Sequence, residues 1–466
     1  MKLHIAIVGF GYAGAVLADR LLRQHPAGVS INIFDKCRSM GEGRAYQGDL
    51  HTNLLNRPAE LMYLREPQDF LHAAGVPLGS FAPRPVFGDF LRAEMKKMLA
   101  EHRTVARYTP SEVISIRPDG LSHILKTADG NECKADIVVL AIGSQAQSLP
   151  YVITNRDRYT SDPYPVSRLL ALDARQIGIV GTRHSAVDVA LGLLEHRDDI
   201  EVVITSRRSR IPVASGAYTR VEPRVLSEDY LKGALGSCEG GLRGIVRLID
   251  RELRAHDIDC TLIEFLRTRL DTTSMADRGR LFGVISSLNA QLAVLWSRLT
   301  PLERERFDML WRHYWADARV PIPACRVERL TEMQRQGRLS IFPGLKDVRE
   351  TVSGLELVSE SASVNVDHLI NAAGPGSQHH STLVDDLMRY YGGGLHPQGG
   401  LCCDFETCLL SGQQARSSIF VTGQLSSGTY FGVSSIDAIQ DQVRRISSEI
   451  QGRFKLLAAS GAPEAA

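Results

Sequence analysis

The first residues with chemical potential are the glycines of Gly9-Phe10-Gly11-Tyr12-Ala13-Gly14, which follow an apolar segment. In a turn of this spacing the first glycine permits a sharp bend, and the second lets the backbone approach a pyrophosphate. The third glycine lets the following helix pack closely on the strand. Asp35 lies 26 residues after Gly9, where a carboxylate accepts hydrogen bonds from ribose hydroxyls. These residues predict a dinucleotide site, because the alternative of a glycine-rich packing turn does not account for Asp35.

A second run, Gly181-Thr182-Arg183-His184-Ser185-Ala186, repeats the pattern with one departure. Arg183 stands where a glycine normally lets the backbone meet the pyrophosphate, so its side chain either blocks the phosphates or pairs with them. Arg207 and Arg208 lie where a guanidinium would hold the 2′-phosphate of NADP, although a solvated surface pair is the alternative. We expect NADPH here, with Gly181, Arg183, Ser185, Arg207 and Arg208 as its contacts. If Arg183 blocks the site, the substrate or a separate reductase must supply the electrons.

Strands and helices alternate around both motifs. Short apolar runs predict buried strands over 3–8, 30–34, 137–142, 176–180, 201–205, 339–342, 355–358, 368–372 and 419–422. Helices are predicted over 12–24 and from 423 to 450, and the Asp129-Gly130 turn predicts a hairpin within 127–132. Residues 236–318 are rich in Leu and Arg at helical spacing, which indicates a helical insertion.

The spacing of the strands suggests that the first domain is discontinuous. Its strand pattern resumes at 137–143 and again at 419–423, a layout typical of flavoproteins that bind two dinucleotides, so we expect FAD at the first site. We predict an α/β fold with two Rossmann-like domains: an FAD-binding domain of 1–165 and 364–466, and an NAD(P)-binding-like domain of 166–235 and 319–363. The insertion, 236–318, is expected to cover the active site or to form the face of a homo-oligomer. Docking of another protein is the alternative.

Composition narrows the class of protein. The chain has 54 Lys and Arg against 53 Asp and Glu, a net charge of +1, which disfavours nucleic acid as a partner. No apolar run reaches the roughly 18 residues of a membrane span. The eight cysteines form no Cys-x-x-Cys pair and have no histidine at metal-ligand spacing, so we expect reduced thiols, no metal site and a cytoplasmic protein.

Several motifs together resemble one family. The chain resembles FAD/NAD(P)-binding proteins of the L-aspartate N-monooxygenase (nitrosuccinate-forming) and FAD-dependent urate hydroxylase type, and more distantly the ornithine and lysine N-hydroxylases. The matching stretches are 9–14, 41–46, 53–59, Met62, 83–84, 87–88, 161–163, 206–208, 367–374 and 423–429. The resemblance covers both nucleotide domains and is weakest over the helical insertion.

The resemblance implies which residues bind FAD. Residues 43–46 and 53–62 would wrap the flavin and its ribityl chain, although Asn53 and Asn56 are equally typical of loop capping. Residues 423–429 would open the last helix against the pyrimidine end of the flavin, where a helix N-terminus stabilises the anionic reduced form. The expected FAD contacts are Gly9, Gly11, Tyr12, Ala13, Gly14, Asp35, Lys36, Arg44, Ala45, Tyr46, Asn53, Asn56, Met62, Val113, Ala141, Gly143, Gly423, Gln424, Gly428 and Thr429.

The resemblance also implies a reaction. NADPH would reduce the flavin, and O2 would add to form a C4a-hydroperoxide that hydroxylates a small polar substrate, expected to be an amine nitrogen of an amino-acid-like metabolite. The alternative is a flavin oxidase or dehydrogenase that oxidises its substrate directly without NADPH. Candidate catalytic or substrate-binding residues, each with a structural role as the competing interpretation, are Arg65, Arg84, His184, His379, His380, Tyr430 and Phe431.

The chain departs from the family pattern near its end. Related proteins have a Pro-Glu pair at the positions of Asp437 and Ala438. Together with Arg183, this departure indicates a divergent member of the family.

Overall fold

The computed structural model describes residues 2–24, 28–36, 39–144, 148–208, 214–215, 221–227, 240–268, 275–319, 322–374, 376, 381–412 and 418–460. Its strands, in chain order, are β1 Leu3–Val8, β2 Val29–Phe34, β3 Ala106–Thr109, β4 Val113–Asp119, β5 Ser122–Thr127, β6 Glu132–Ala135, β7 Ile137–Leu140, β8 Tyr159–Thr160, β9 Gln176–Val180, β10 Glu201–Ser206, β11 Ala214–Ser215, β12 Ile322–Pro323, β13 Leu339–Pro343, β14 Asp347–Glu350, β15 Leu355–Val358, β16 Ser363–Val366, β17 His368–Asn371 and β18 Ile419–Val421.

The helices surround these strands and fill the insertion. They are α1 Tyr12–Gln24, α2 Asp69–Ala74, α3 Arg84–Glu101, α4 His184–Leu194, α5 Gly241–Ala255, α6 Leu262–Thr268, α7 Met275–Ser287, α8 Asn289–Ser297, α9 Pro301–Leu310, α10 Arg312–Arg319, α11 Ala324–Arg335, α12 Thr382–Tyr391 and α13 Ile436–Ser460. No helix in the described part of the chain is long and apolar enough to cross a membrane.

The first unit is built on a parallel sheet with the strand order β18-β7-β1-β2-β3. Its central strands are apolar on both faces because helices cover both sides, as is usual for parallel sheets. The predicted strands at 3–8, 30–34, 137–142 and 419–422 are confirmed within two residues at each end. The carboxyl ends of β1 and β7 therefore meet at one edge, beside the start of α1.

A second parallel sheet, β13-β10-β9-β17-β8, forms the core of the second unit. The predicted α/β fold with two Rossmann-like units is confirmed. Strands β8 and β17 lie in this second sheet, so the expected domain limits at 165 and 364 each leave one of its strands in the first domain.

Two small antiparallel sheets join the parallel ones. The sheet of β4, β5 and β6 contains the predicted hairpin, whose turn includes Gly130 with a φ of +87°. The other, of β14, β15 and β16, connects β13 to β17.

The helical insertion, predicted over 236–318, contains the helices α5 to α10. They enclose a separate apolar core that includes Phe265, Ile285 and Trp296. Trp296 stacks on Phe431 with ring centroids 4.9 Å apart, and its indole Nε1 donates to Gly428 O at 2.8 Å. The insertion therefore packs directly on the loop that follows β18.

The prediction of a final helix starting at Gly423 is wrong. Residues Gly423–Ser426 form a single 3₁₀ turn, and α13 begins only at Ile436. A side chain of α13 instead holds the loop that follows β18. Gln442 Oε1 accepts from Gly423 N at 2.8 Å and from the Thr422 hydroxyl at 2.9 Å.

Candidate active site

The first glycine turn lies at the carboxyl edge of the first sheet. Gly9 has a φ of +100°, and a Cβ there would lie 2.3 Å from the carbonyl oxygen of Ala141. A Cβ on Gly14 would lie 2.1 Å from Gly9 O, so only glycine allows α1 to approach β1 this closely. A Cβ on Gly11 would meet Gly43 Cα at 3.4 Å, which places the predicted 43–46 segment against the turn.

Asp35 follows β2 at the same edge and is 8% exposed. Its carboxylate accepts from Phe10 N at 3.2 Å and from the backbone N and hydroxyl of Ser39, both at 2.8 Å. These bonds tie the acid to the glycine turn. Lys36 points away, pairing with the exposed Glu112 at 3.0 Å.

The segment from Gly41 to Tyr46 runs beside the turn. Arg44 pairs with Asp162 at 2.6 Å and lies over the ring of Tyr164. Burial raises the pKa of Tyr46, while the guanidiniums of Arg84 and Arg57 act in the opposite direction. Tyr46 therefore lies between the first turn and two arginines, and the neighbouring Ala45 is exposed.

Asn53 provides a test of whether a cofactor fits this edge. The residue is 1% exposed, and its Nδ2 donates to Asp49 at 3.0 Å. Its buried Oδ1 has no hydrogen-bond partner among the described residues. A buried acceptor without a donor is costly, so a ligand that brings an N–H or O–H fits this position. In the same loop, Met62 is buried at 2% exposure and Asn56 is half-buried.

The remaining expected FAD contacts separate into two groups. Ala141 and Gly143 follow β7, and Gly143 is exposed with a φ of +73°. A Cβ on Gly423 would lie 3.8 Å from the side chain of Ala13. Gln424, next to Gly423, is half-buried. Other residues face the protein interior: Val113 is buried in β4, Gly428 packs on His396, and the Thr429 hydroxyl lies against the backbone of Cys403 at 3.3–3.4 Å.

The second turn repeats the geometry of the first. Gly181 has a φ of +129°, and a Cβ there would lie 2.3 Å from Ala372 O, the distance found between Gly9 and Ala141. Gly181 N donates to Thr205 O at 2.8 Å, as Gly9 N donates to Phe34 O at 2.7 Å. The second unit thus has the same sharp turn, although Ala186 takes the place of the third glycine.

Arg183 directly precedes α4 and is exposed. Its side chain makes no capping bond to the helix, and its Nη2 lies 3.5 Å from His313 O in the insertion. Arg207 and Arg208 are exposed just after β10. His184 is the first residue of α4, and Ser185 lies beside the Tyr164 hydroxyl.

Three of the catalytic candidates are engaged in the protein's own structure. Arg65 pairs with Asp19 at 2.8 Å and with Glu94 at 2.5 Å, an arrangement that indicates a structural ion pair. The Tyr430 hydroxyl donates to Phe405 O and lies 3.0 Å from the Cys408 thiol in the buried core. Phe431 packs into the insertion core. His379 and His380 lie outside the described residues.

Arg84 belongs to a buried charge cluster that joins the two units, the Asp188 cluster. Asp188, on α4, is 1% exposed and lies 3.3 Å from Arg84 and 2.9 Å from Arg326. Burial opposes the charge of Arg84, but Asp188 and the nearby Tyr164, Tyr46 and Asp49 together raise the pKa of Arg84. Arg326 also donates to Thr52 O at 3.0 Å, next to Asn53. No role for Asp188 was predicted from the sequence, because its partners lie on α3 and α11.

A second unpredicted feature is a groove beside the first turn, the Arg57–Asp437 groove. The groove is lined by the charged and polar residues Arg57, Glu60, Tyr63, Gln68 and Asp437 and by the apolar residues Leu61, Pro67 and Leu78. The Arg57 Nη2 to Asp437 Oδ2 distance is 3.0 Å, and these side chains are 14% and 19% exposed. The only sequence observation that concerns this groove is the difference from the family pattern at Asp437.

Comparisons with known proteins agree with this architecture. Residues 6–145 match the FAD-NAD(P)-binding family. No curated protein sequence gave a significant match. Among solved structures, the ornithine N-hydroxylase of Kutzneria sp. 744 is 16% identical with a TM-score of 0.64, over 97% of this chain and 100% of that one. The ornithine hydroxylase of Pseudomonas aeruginosa is 17% identical with a TM-score of 0.63, over 98% and 100%.

A third solved structure has the same layout. The desferrioxamine-pathway cadaverine monooxygenase of Erwinia amylovora, solved with FAD, is 15% identical with a TM-score of 0.56, over 97% of this chain and 95% of that one. At these identities the likeness concerns the fold. Residues 6–145 therefore match the FAD-NAD(P)-binding family, within a chain that shares the overall fold of ornithine N-hydroxylases.

Proposed function

We propose that the chain is an FAD-dependent monooxygenase that uses NADPH and O2 to hydroxylate a small polar substrate, at the amine nitrogen of an amino-acid-like metabolite. The duplicated glycine turn carries this proposal. Gly9 and Gly181 each follow a central strand of a parallel sheet, and a Cβ on either residue would lie 2.3 Å from a backbone carbonyl oxygen. Two such turns on one chain are suited to two dinucleotides. The shared fold with amine hydroxylases and the family resemblance support the choice of reaction.

The residues of the first unit are assigned to FAD. The start of α1 presents free N–H groups to the pyrophosphate, and Asp35 lies where the ribose hydroxyls would bind. Asn53 Oδ1, buried and without a protein donor, would accept a hydrogen bond from the flavin. When bound, FAD supplies the redox chemistry between NADPH, oxygen and substrate.

The second unit is assigned to NADPH. Arg207 and Arg208 are exposed beyond β10 and would pair with the 2′-phosphate, while Arg183 would pair with the pyrophosphate. The Asp188 cluster fixes α4, and hence this site, against the loop that contains Asn53. The insertion, packed on the loop after β18 through Trp296, would exclude water from the flavin.

Product analysis tests the proposal directly. The purified, FAD-loaded protein is supplied with NADPH and oxygen and a panel of amino acids and diamines, and products are detected by mass spectrometry. We expect at least one substrate to gain one oxygen atom with matching NADPH consumption. The formation of neither a hydroxylated product nor peroxide would count against the proposal.

One observation favours a second candidate, a flavin oxidase or dehydrogenase that does not use NADPH. Arg183 places a long side chain where a glycine is usual, and that side chain extends towards His313. Such an enzyme would reduce its flavin with substrate alone under anaerobic conditions. Tight binding of NADPH would exclude it.

A further inference from the structure

The side-chain amide of Gln442, in the second turn of α13, is fully buried and holds the loop that follows β18. Its Oε1 accepts from the backbone N of Gly423 at 2.8 Å and from the Thr422 hydroxyl at 2.9 Å, and its Nε2 donates to Ser426 Oγ at 2.9 Å. The Ser426 hydroxyl in turn donates to Gly423 O at 2.8 Å, which closes the network. Thr422, Ser426 and Gln442 are each 0% exposed, so water cannot replace any of these bonds.

This network fixes the 3₁₀ turn of residues 423–426, the 423–426 turn, which borders the first dinucleotide site. Gly423 has a φ of +66°, in the left-handed region that favours glycine. A Cβ on Gly423 would lie 3.8 Å from the side chain of Ala13, in the first turn of α1. Helix α1 begins directly after the glycine turn that is assigned to the FAD pyrophosphate. A displacement of the 423–426 turn would therefore change one wall of the FAD site.

Ser427, directly after this turn, gives a second indication that a ligand lies here. Its Oγ is buried and has no hydrogen-bond partner among the described residues. Within 421–430, Gln424 and Ser427 are half-buried and the other residues are buried. A buried hydroxyl without a partner is costly, so a ligand with a polar group fits beside it. Asn53 Oδ1 gives the same signal in the loop before Met62.

A second glutamine ties the same helix to the start of α1. Gln440 Nε2 donates to the Tyr12 hydroxyl at 3.0 Å and to Leu64 O at 2.8 Å. Gln440 and Gln442 leave α13 on different sides, because two residues turn a helix by about 200°. Helix α13 therefore holds both the 423–426 turn and the first residue of α1 through hydrogen-bonded side chains. Its two glutamines set where these two segments lie relative to each other.

We propose that Gln442 is a positioning residue for the FAD site of this protein. Its amide keeps the 423–426 turn against the start of α1, where the turn forms a wall of the cofactor site. Gln442 itself is enclosed by protein and acts only through Gly423, Thr422 and Ser426. Glutamine suits this role because one side chain can both accept two hydrogen bonds and donate one. The inference rests on the proposed function, because it concerns the cofactor site that this function requires.

Three variants of the FAD-loaded protein test this role. Gln442→Met has a side chain of similar length that lacks both the amide oxygen and the N–H groups, whereas Gln442→Glu retains the acceptor oxygen. Ser447→Ala is the matched control, because Ser447 is buried on the same helix and its hydroxyl donates to Gln24 Oε1 at 2.6 Å, at the far end of α1. The readouts are the rate of FAD release on dilution, followed by flavin fluorescence, and the visible circular dichroism of the bound flavin.

We expect Gln442→Met to release FAD at least about 10-fold faster than the wild type and to change the flavin dichroism, because the Gly423 N–H and the Thr422 hydroxyl lose their buried acceptor. Gln442→Glu and Ser447→Ala should stay close to the wild type in both readouts. Wild-type release and dichroism in Gln442→Met would overturn the proposal. An equal effect of Ser447→Ala would also overturn it, because the cause would then be a general loosening of α13.

A milder variant covers the case in which Gln442→Met does not fold. Ser426→Ala removes the bond from Gln442 Nε2 and the bond to Gly423 O, and leaves the acceptor bonds of Gln442 Oε1 in place. It should shift both readouts in the same direction as Gln442→Met, by a smaller amount. Unchanged FAD release and dichroism in Ser426→Ala would then overturn the proposal.

The outcomes distinguish this role from the proposed function, because neither readout uses NADPH or substrate. If the variants behave as expected but no amine yields product or peroxide, the monooxygenase function fails and the positioning role stands. If product forms and Gln442→Met keeps the wild-type flavin release and dichroism, the positioning role fails and the function stands.

Discussion

Removing the charge of Asp188 should strongly destabilise the protein. In Asp188→Asn the guanidiniums of Arg84 and Arg326 would remain buried without their counter-charge, at side-chain exposures of 18% and 5%. Loss of one partner from a buried ion pair typically costs about 3–5 kcal/mol. Since native proteins are stable by about 5–15 kcal/mol, the variant should still fold.

Urea unfolding followed by far-UV circular dichroism measures the change in the free energy of unfolding. Asp119→Asn serves as the control because it breaks the exposed pair with Lys134, whose side chains are 44% and 62% exposed, and should cost at most about 1 kcal/mol. The double variant Asp188→Asn/Arg326→Met should be less destabilised than the sum of its single variants by at least about 1 kcal/mol, because one orphaned cation is gone. An Asp188→Asn variant within about 1 kcal/mol of the control would refute the assignment of a buried interdomain charge cluster.

Three further outcomes follow from the structure. Gly9→Ala should lose bound FAD, because its Cβ would lie 2.3 Å from a backbone carbonyl at a φ of +100°. Gly48→Ala should keep FAD, because its Cβ would have no atom within 4 Å. Equal flavin content in the two variants would contradict this. Arg207→Ala/Arg208→Ala should weaken NADPH binding by about 10-fold or more and leave NADH unchanged, as titration of both nucleotides would show. Burial lowers the pKa of His123 to about 4, so protonation favours the unfolded chain. The free energy of unfolding should therefore fall by up to about 3 kcal/mol as the pH falls from 6.5 towards 4. His123→Gln should remove that fall, and an unchanged pH profile in the variant would contradict it.

The sequence was sufficient for the parts of the fold that are governed by local pattern. Strands β1 and β9 are short and mostly apolar, and Gly9 and Gly181 follow their last residues directly. The last helix was predicted to start at Gly423, directly after β18, but α13 begins only at Ile436. The buried amide of Gln442, which holds Gly423 instead, lies 19 residues further along the chain.

The ion pairs of the site could not be predicted from the sequence, for a different reason. Arg84 and Arg65 were candidates for binding substrate, with a structural role as the competing interpretation. Each pairs with carboxylates of the protein itself, those of Asp188, Asp19 and Glu94. Which arginine meets which acid depends on how elements from separate units pack. The same holds for Arg57 and Asp437, whose proximity no spacing rule reveals.

The most direct test of the central claim is anaerobic stopped-flow mixing of the FAD-loaded protein with NADPH and, separately, with NADH. We expect NADPH to bleach the flavin absorption band and NADH to do so much more slowly, and we expect Arg207→Ala/Arg208→Ala to abolish the difference. Failure of both nucleotides to reduce bound FAD, with the panel of amines and amino acids present as well as absent, would contradict a monooxygenase that depends on NADPH.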